Sequence, residues 1–144
     1  MAEGFFSNPG ELASRFSNPG ELASRFSNPG ELASRFVNLE SVPWIDSGPG
    51  NKMKVIYYDK NTEMLTLLTK LEPGAGIPAH MHEDLEQTFV LEGSLLDHEG
   101  ECTAGNFVIR AKGSRHAPTA PNGCTMLVFF MKPTAHLKKQ LKLA

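Results

Sequence analysis

The chain has 144 residues and a net charge of −2, with 21% charged and 40% hydrophobic residues. Such a length and balance describe one domain with a real core; they exclude a disordered chain and offer no basic surplus for nucleic acid. No apolar run approaches the roughly 20 residues needed to cross a bilayer, and the N-terminus lacks the basic-then-apolar pattern of an export signal. A cytoplasmic location with no membrane partner is therefore expected.

In chain order, the first feature is an exact tandem repeat: SNPGELASRF occurs at Ser7–Phe16, Ser17–Phe26 and Ser27–Phe36. Each unit reads as a helix start, with Asn as N-cap, Pro at the first helical position and Glu three residues after the Asn. The next unit's Asn-Pro-Gly ends the helix, because the residue before Pro avoids the α region. Residues 1–36 are thus expected to form short helical turns, each too short to be stable alone. Repeat architectures usually need units of about 20 or more residues to share a core, so the segment reads as a duplication that carries no chemistry, with an oligomerisation or lid segment as the functional alternative.

Residues 37–144 form the second expected region, built from short alternating segments punctuated by Gly, Pro and Asn. Strands are expected at Lys54–Asp59, Glu63–Leu71, Ile77–His82, Gln87–Glu92, Ser94–Asp97, Glu101–Thr103, Phe107–Arg110 and Cys124–Met131. Turn signals separate them, at His98-Glu-Gly100, Ala104-Gly105, Lys112-Gly113 and Pro121-Asn-Gly123. Many short strands at close spacing indicate an all-β sandwich or barrel. Only the tail, Thr134–Leu143, has a helical pattern. Cys102 and Cys124 are far apart and form no C-x-x-C, so both are expected as reduced, small, buried strand residues.

Metal-competent residues are concentrated within the β pattern. His80 and His82 are two apart, so on a strand both point to one face. Glu86 needs a turn or bulge to return to that face, and His116 comes from a separate segment. Three imidazoles and one carboxylate suit one divalent transition metal, Fe(II), Zn, Mn, Ni or Cu, over Mg and Ca, which prefer all-oxygen sites. His98 and His136 are expected to have no ligand role. Glu83 and Asp84 read as loop between ligands, with room for one of them to orient a ligand. Arg110 and Arg115 read as solvated rim charges or as groups steering an anionic substrate. Trp44, Phe89, Phe107, Phe129 and Phe130 read as core or cavity wall.

These residues resemble a known family. Gly74 to Gly93 reads G-x5-H-x-H-x3-E-x6-G, similar to the first cupin signature at every defined position. Gly105 onward reads G-x5-A-x-G-x2-H, similar to the second signature, with Ala111 where Pro is usual and Ala120 where Asn is frequent. The wording Glu72-Pro-Gly-Ala-Gly-Ile-Pro78, Val90-Leu-Glu-Gly-Ser94 and Gly113-Ser-Arg-His-Ala-Pro118 resembles the ChrR-type cupins. It is also similar to the small cupin dioxygenases that cleave acetylacetone or dihydroxyacetophenone. The resemblance implies a double-stranded β-helix, a jelly-roll barrel, with His80, His82, Glu86 and His116 facing inward on the metal.

Three functions follow from the resemblance. The first is a mononuclear metal-dependent dioxygenase acting on a small chelating ketone, diketone or aromatic substrate. The second is a barrel that binds a small molecule through its metal without turnover, and the third a ChrR-like sensor or regulatory cupin. The absence of Cys and His before His80 speaks against a complete anti-sigma factor. A homodimer is the expected assembly.

Overall fold

Alternation along the chain decides which face of each strand is buried. In Leu65–Leu71 the odd-numbered residues Leu65, Leu67, Thr69 and Leu71 are buried and the residues between them are not; Cys124, Met126 and Val128 repeat the pattern. In this computed structural model, which describes residues 33–143, the strands run in the order β1 (Ile45–Asp46), β2 (Asn51–Tyr58), β3 (Leu65–Leu71), β4 (Ala75–Gly76), β5 (His80–Met81), β6 (Glu86–Asp97), β7 (Gly100–Thr103), β8 (Phe107–Arg110), β9 (Arg115–His116), β10 (Thr119–Ala120) and β11 (Cys124–Phe130). Helix α1 (Ala135–Gln140) follows. The chain divides into two units, Met1–Ser41 and Val42–Ala144. In the first, Ser41 closes a turn by donating its N–H and its hydroxyl to the Asn38 carbonyl. The helical turns expected from the decapeptides lie outside the described residues, except for residues 33–36, which carry no regular element.

The second unit is an all-β cupin fold, a curled antiparallel sheet ordered β1-β2-β3-β11-β6-β10-β4, with β7 and β8 also paired to β6 and a separate β5-β9 ribbon. Strand β6 organises it. Its first half lies between β8 and β11, matching Glu86 to Arg110 and to Phe130. Its second half lies between β7 and β10, matching Asp97 to Gly100 and Leu96 to Thr119. The sequence predicts two strands broken at Gly93, whereas the structure has one strand that bends there. Gly93 has φ +71, and a Cβ on it would strike the Gly123 carbonyl, so the bend requires glycine. A bulge beside it, where Thr125 faces Glu92 but Met126 faces Val90, adds twist and helps the sheet curl.

Two apolar clusters fill the interior. One gathers Leu71, Val90, Leu95, Ala120, Met126 and Val128 with both cysteines. The thiols are free and buried, as expected, and burial pushes both upward, Cys124 to about 11. The other cluster joins Met53, Leu65 and Leu67 to Leu141 at the end of the tail. Each fully buried leucine contributes about 2 kcal/mol, so Leu141 fastens α1 onto the sheet. Thr134 caps α1 by accepting from the Leu137 N–H at 3.1 Å, and Glu63 in the β2–β3 turn pairs with Lys138 and Lys132. Among the described residues, no helix is long and apolar enough to cross a membrane.

Candidate metal centre

The β5-β9 ribbon sets His80 directly opposite His116. His82 continues the same edge, its N–H bonded to the Ser114 carbonyl at 3.0 Å and its carbonyl accepting from the Gly113 N–H at 2.8 Å. The i, i+2 relation therefore holds, with Met81 turned out to solvent between the two rings. One ligand atom from each of His80, His82 and His116 lies within 4.8 Å of the others, and ring centroids are 4.5–5.0 Å apart. Glu86, which opens β6 after a bend in which Asp84 accepts from the Leu85 N–H, reaches this group through His82. Its Oε2 is 3.2 Å from His82 Nε2, and its Oε1 accepts from the Thr88 hydroxyl at 3.5 Å.

The partners on the far side of each ring fix its tautomer. His80 Nδ1 is 2.9 Å from the Pro78 carbonyl and His116 Nδ1 is 3.0 Å from Asp97 Oδ2, and neither oxygen can donate. His82 Nδ1 is 2.8 Å from the Ser114 hydroxyl, whose proton goes to the Ala111 carbonyl at 2.6 Å. All three rings therefore carry their proton on Nδ1 and turn an Nε2 lone pair inward. Burial holds His116 below the ordinary imidazole value, against the upward pull of Asp97, so the ring is neutral near pH 7. His116 Nε2 and His80 Nε2 face each other at 3.0 Å. His82 Nε2 is buried with no hydrogen-bond partner. Lone pairs aimed at one another and at a carboxylate repel unless an electrophile stands among them. That donor set fits a divalent ion with imidazole ligands.

Behind His116 lies a network that the sequence reading missed. Asp97 Oδ2 takes both His116 Nδ1–H and Arg110 Nη2, the latter at 2.5 Å, and Arg110 Nη1 reaches Glu99 at 2.9 Å. Arg110 is thus a buried partner of the carboxylate that holds His116, not a solvated rim charge. The signal was available: Arg110 sits at an inward position of β8, opposite Glu86. Arg115, by contrast, is exposed.

The site opens into a cavity of about 440 Å³. Its wall is mainly apolar, with Met53, Leu67, Leu95, Met126, Val128 and Phe130, and its rim includes Glu83, Asp84, Lys132 and His136. His136, which the sequence reading set aside, faces the cavity because α1 packs beside it; no motif announces this. Trp44, Phe107 and Phe129, expected as core or cavity wall, are instead exposed, and Trp44 carries Lys52 and Lys54 over its ring.

A family model for the "ChrR Cupin-like domain" matches residues 33–134. The anti-sigma-E factor ChrR of Cereibacter sphaeroides is 31% identical over 85 residues, 59% of this chain and 39% of that protein; the chain therefore spans about two fifths of that relative's length. Among solved structures, the acetylacetone dioxygenase of Acinetobacter johnsonii has a TM-score of 0.64 at 15% identity, covering 72% of this chain and 77% of the other. The anti-sigma ChrR complex with SigE from Rhodobacter sphaeroides has a TM-score of 0.57 at 24% identity, covering 90% and 70%.

Proposed function

Because the chain belongs to the ChrR cupin-like domain family, we propose that it is a mononuclear metal-dependent oxygenase acting on a small chelating ketone, diketone or aromatic molecule. The observation that carries this reading is the convergence of three tautomer-locked Nε2 lone pairs on one wall of an apolar cavity. His80, His82 and His116 would hold the ion, and Glu86 is the fourth ligand in this reading, since its Oε2 and His82 Nε2 need a cation between them. Four ligands on an octahedral ion leave two positions open. A bound redox-active ion supplies Lewis acidity toward the substrate and electron transfer toward O2. The chain's own share is to orient the rings from behind through Pro78, Ser114 and Asp97. Met53, Leu67, Met126 and Val128 exclude bulk water from the bound substrate. The acetylacetone dioxygenase fold supports the reading by analogy alone.

A second reading, a metal-dependent binding or regulatory barrel without turnover, is favoured by the identity to ChrR. Anaerobic reconstitution with Fe(II), Mn(II), Ni(II) or Zn(II), then oxygen-electrode assay with acetylacetone and related chelators, separates the two. Oxygen uptake with Fe(II) and none with Zn(II) is expected, because Zn(II) does not change oxidation state. No uptake with any metal, alongside tight chelator binding by the zinc form, would favour the second reading. The reading includes a homodimer, supported by the neighbouring apolar side chains Phe107, Ile109 and Phe129 exposed on the outer sheet face.

A further inference from the structure

The cavity has polar groups other than the histidines and carboxylates of the metal centre. Ser47 and Asn51 flank the β1–β2 turn and both line it. The turn itself is closed by backbone alone: the Ser47 N–H donates to the Asn51 carbonyl at 2.9 Å, and the Asn51 N–H donates to the Gly48 carbonyl at 3.0 Å. Neither side-chain oxygen serves the turn. Ser47 Oγ and Asn51 Oδ1 are buried with no hydrogen-bond partner, and Asn51 as a whole is 5% exposed. An orphaned buried acceptor lowers stability, and leucine in its place would remove that penalty. Asn51 also stands at an inward position of β2, two residues before Met53 and opposite Leu71, where an apolar residue fits the strand pattern.

From these observations we infer that Ser47 and Asn51 form a second subsite that binds a hydroxyl group at the far end of the substrate. The amide oxygen only accepts, so the ligand group must donate; the serine hydroxyl can donate in return, so the group should also accept. A neutral alcohol or phenol does both. The volume is in the range of small-molecule sites, about 300–1,000 Å³, and Met53, Leu67 and Met126 also line it. The substrate class is therefore ditopic: a chelating head for the metal centre, an apolar body, and a terminal hydroxyl for Asn51 and Ser47. The inference rests on the oxygenase reading for its chelating head, but it can fail separately.

The test uses binding without turnover. Zinc-loaded full-length protein is titrated calorimetrically with catechols bearing a hydroxyethyl or hydroxypropyl arm, and with the propyl and butyl catechols in which methyl replaces the hydroxyl. At least one hydroxyl probe should bind about tenfold tighter than its methyl counterpart. In Asn51→Leu the preference should fall to within twofold, and Ser47→Ala should reduce it in the same direction. Metal-free Asn51→Leu should melt no lower than the parent, an outcome that a structural role for the amide would reverse. Equal binding of each probe pair by the parent overturns the subsite and leaves the oxygenase reading standing; binding of neither probe overturns it as well. A preserved hydroxyl preference in a protein whose iron form takes up no oxygen would do the opposite, keeping the subsite and removing the oxygenase.

Discussion

Replacing Asp97 with Asn keeps the shape of the side chain and an acceptor for His116 Nδ1–H, but removes the charge facing Arg110 at 2.5 Å and sets an amide NH2 against the Glu99 N–H that donates to Oδ1. Burial pushes the Asp97 carboxyl up, yet hydrogen bonds from His116 and from the Glu99 N–H, with the Arg110 charge, outweigh it and hold the group at about 2 against an ordinary 3.8. At 1.36 kcal/mol per pH unit the difference is about 2 kcal/mol of stability. The unfolded chain takes up the proton first, so this stability is complete above pH 3.8 and is lost as pH falls through about 2. Asp97→Asn should therefore lose about 2 kcal/mol at pH 7 in urea unfolding of the metal-free protein, and should flatten its acid limb. The second effect is on the metal. Loss of an outer partner of a ligating histidine typically costs about 10–100-fold in affinity. Asn, which retains an acceptor, should fall near tenfold and Asp97→Ala near 100-fold, read by zinc competition against a chromophoric chelator. An Asp97→Asn protein with parental stability and zinc affinity within twofold of the parent would refute the positioning argument.

His82→Ala should lose most bound metal in elemental analysis, since no other nearby side chain is placed to replace its inward lone pair; full occupancy would remove His82 from the ligand set. Deleting Ser7–Phe26 removes two whole repeats and should leave a folded, metal-binding product, because every motif residue lies beyond Gly74; a metal-free or unfolded product would assign the repeats to the core. Ile109, 65% exposed on β8 beside Phe107, is the position at which Ile109→Lys should convert a dimer to monomer in sedimentation. An unchanged dimer would place the interface elsewhere.

The features legible in the sequence are those whose physics is local. His80 and His82 follow from period-two alternation, and the tail helix from the spacing of Leu137 and Leu141 among basic residues. The curvature of β6 was not legible, because Gly93 signals a positive φ equally well in a turn and in a bent strand. Strands β1, β4, β9 and β10 are two residues each, too short to show any period; pairing with distant partners defines them. In sequence Asp97 is only a strand end, since its roles come from His116 and Arg110, 19 and 13 residues away. Asn51 and Ser47 look like ordinary turn residues, and only their burial without partners sets them apart.

The locked rings also constrain proton traffic. An imidazole whose Nδ1–H is held by an acceptor and whose Nε2 is committed to an ion has no site left to take up or release a proton. Holding the ion as proposed, His80, His82 and His116 would be spectators in proton transfer, however close they lie to the substrate. A proton that leaves a chelating substrate on binding would then pass to solvent or to another ionisable group on the cavity wall, and outside the proposed ligand set Glu83, Asp84, Lys132 and His136 line it. Of these, His136 is borne by α1. The tail helix, attached to the barrel by Leu141 and Glu63, thus carries the imidazole that lines the cavity outside the proposed ligand set.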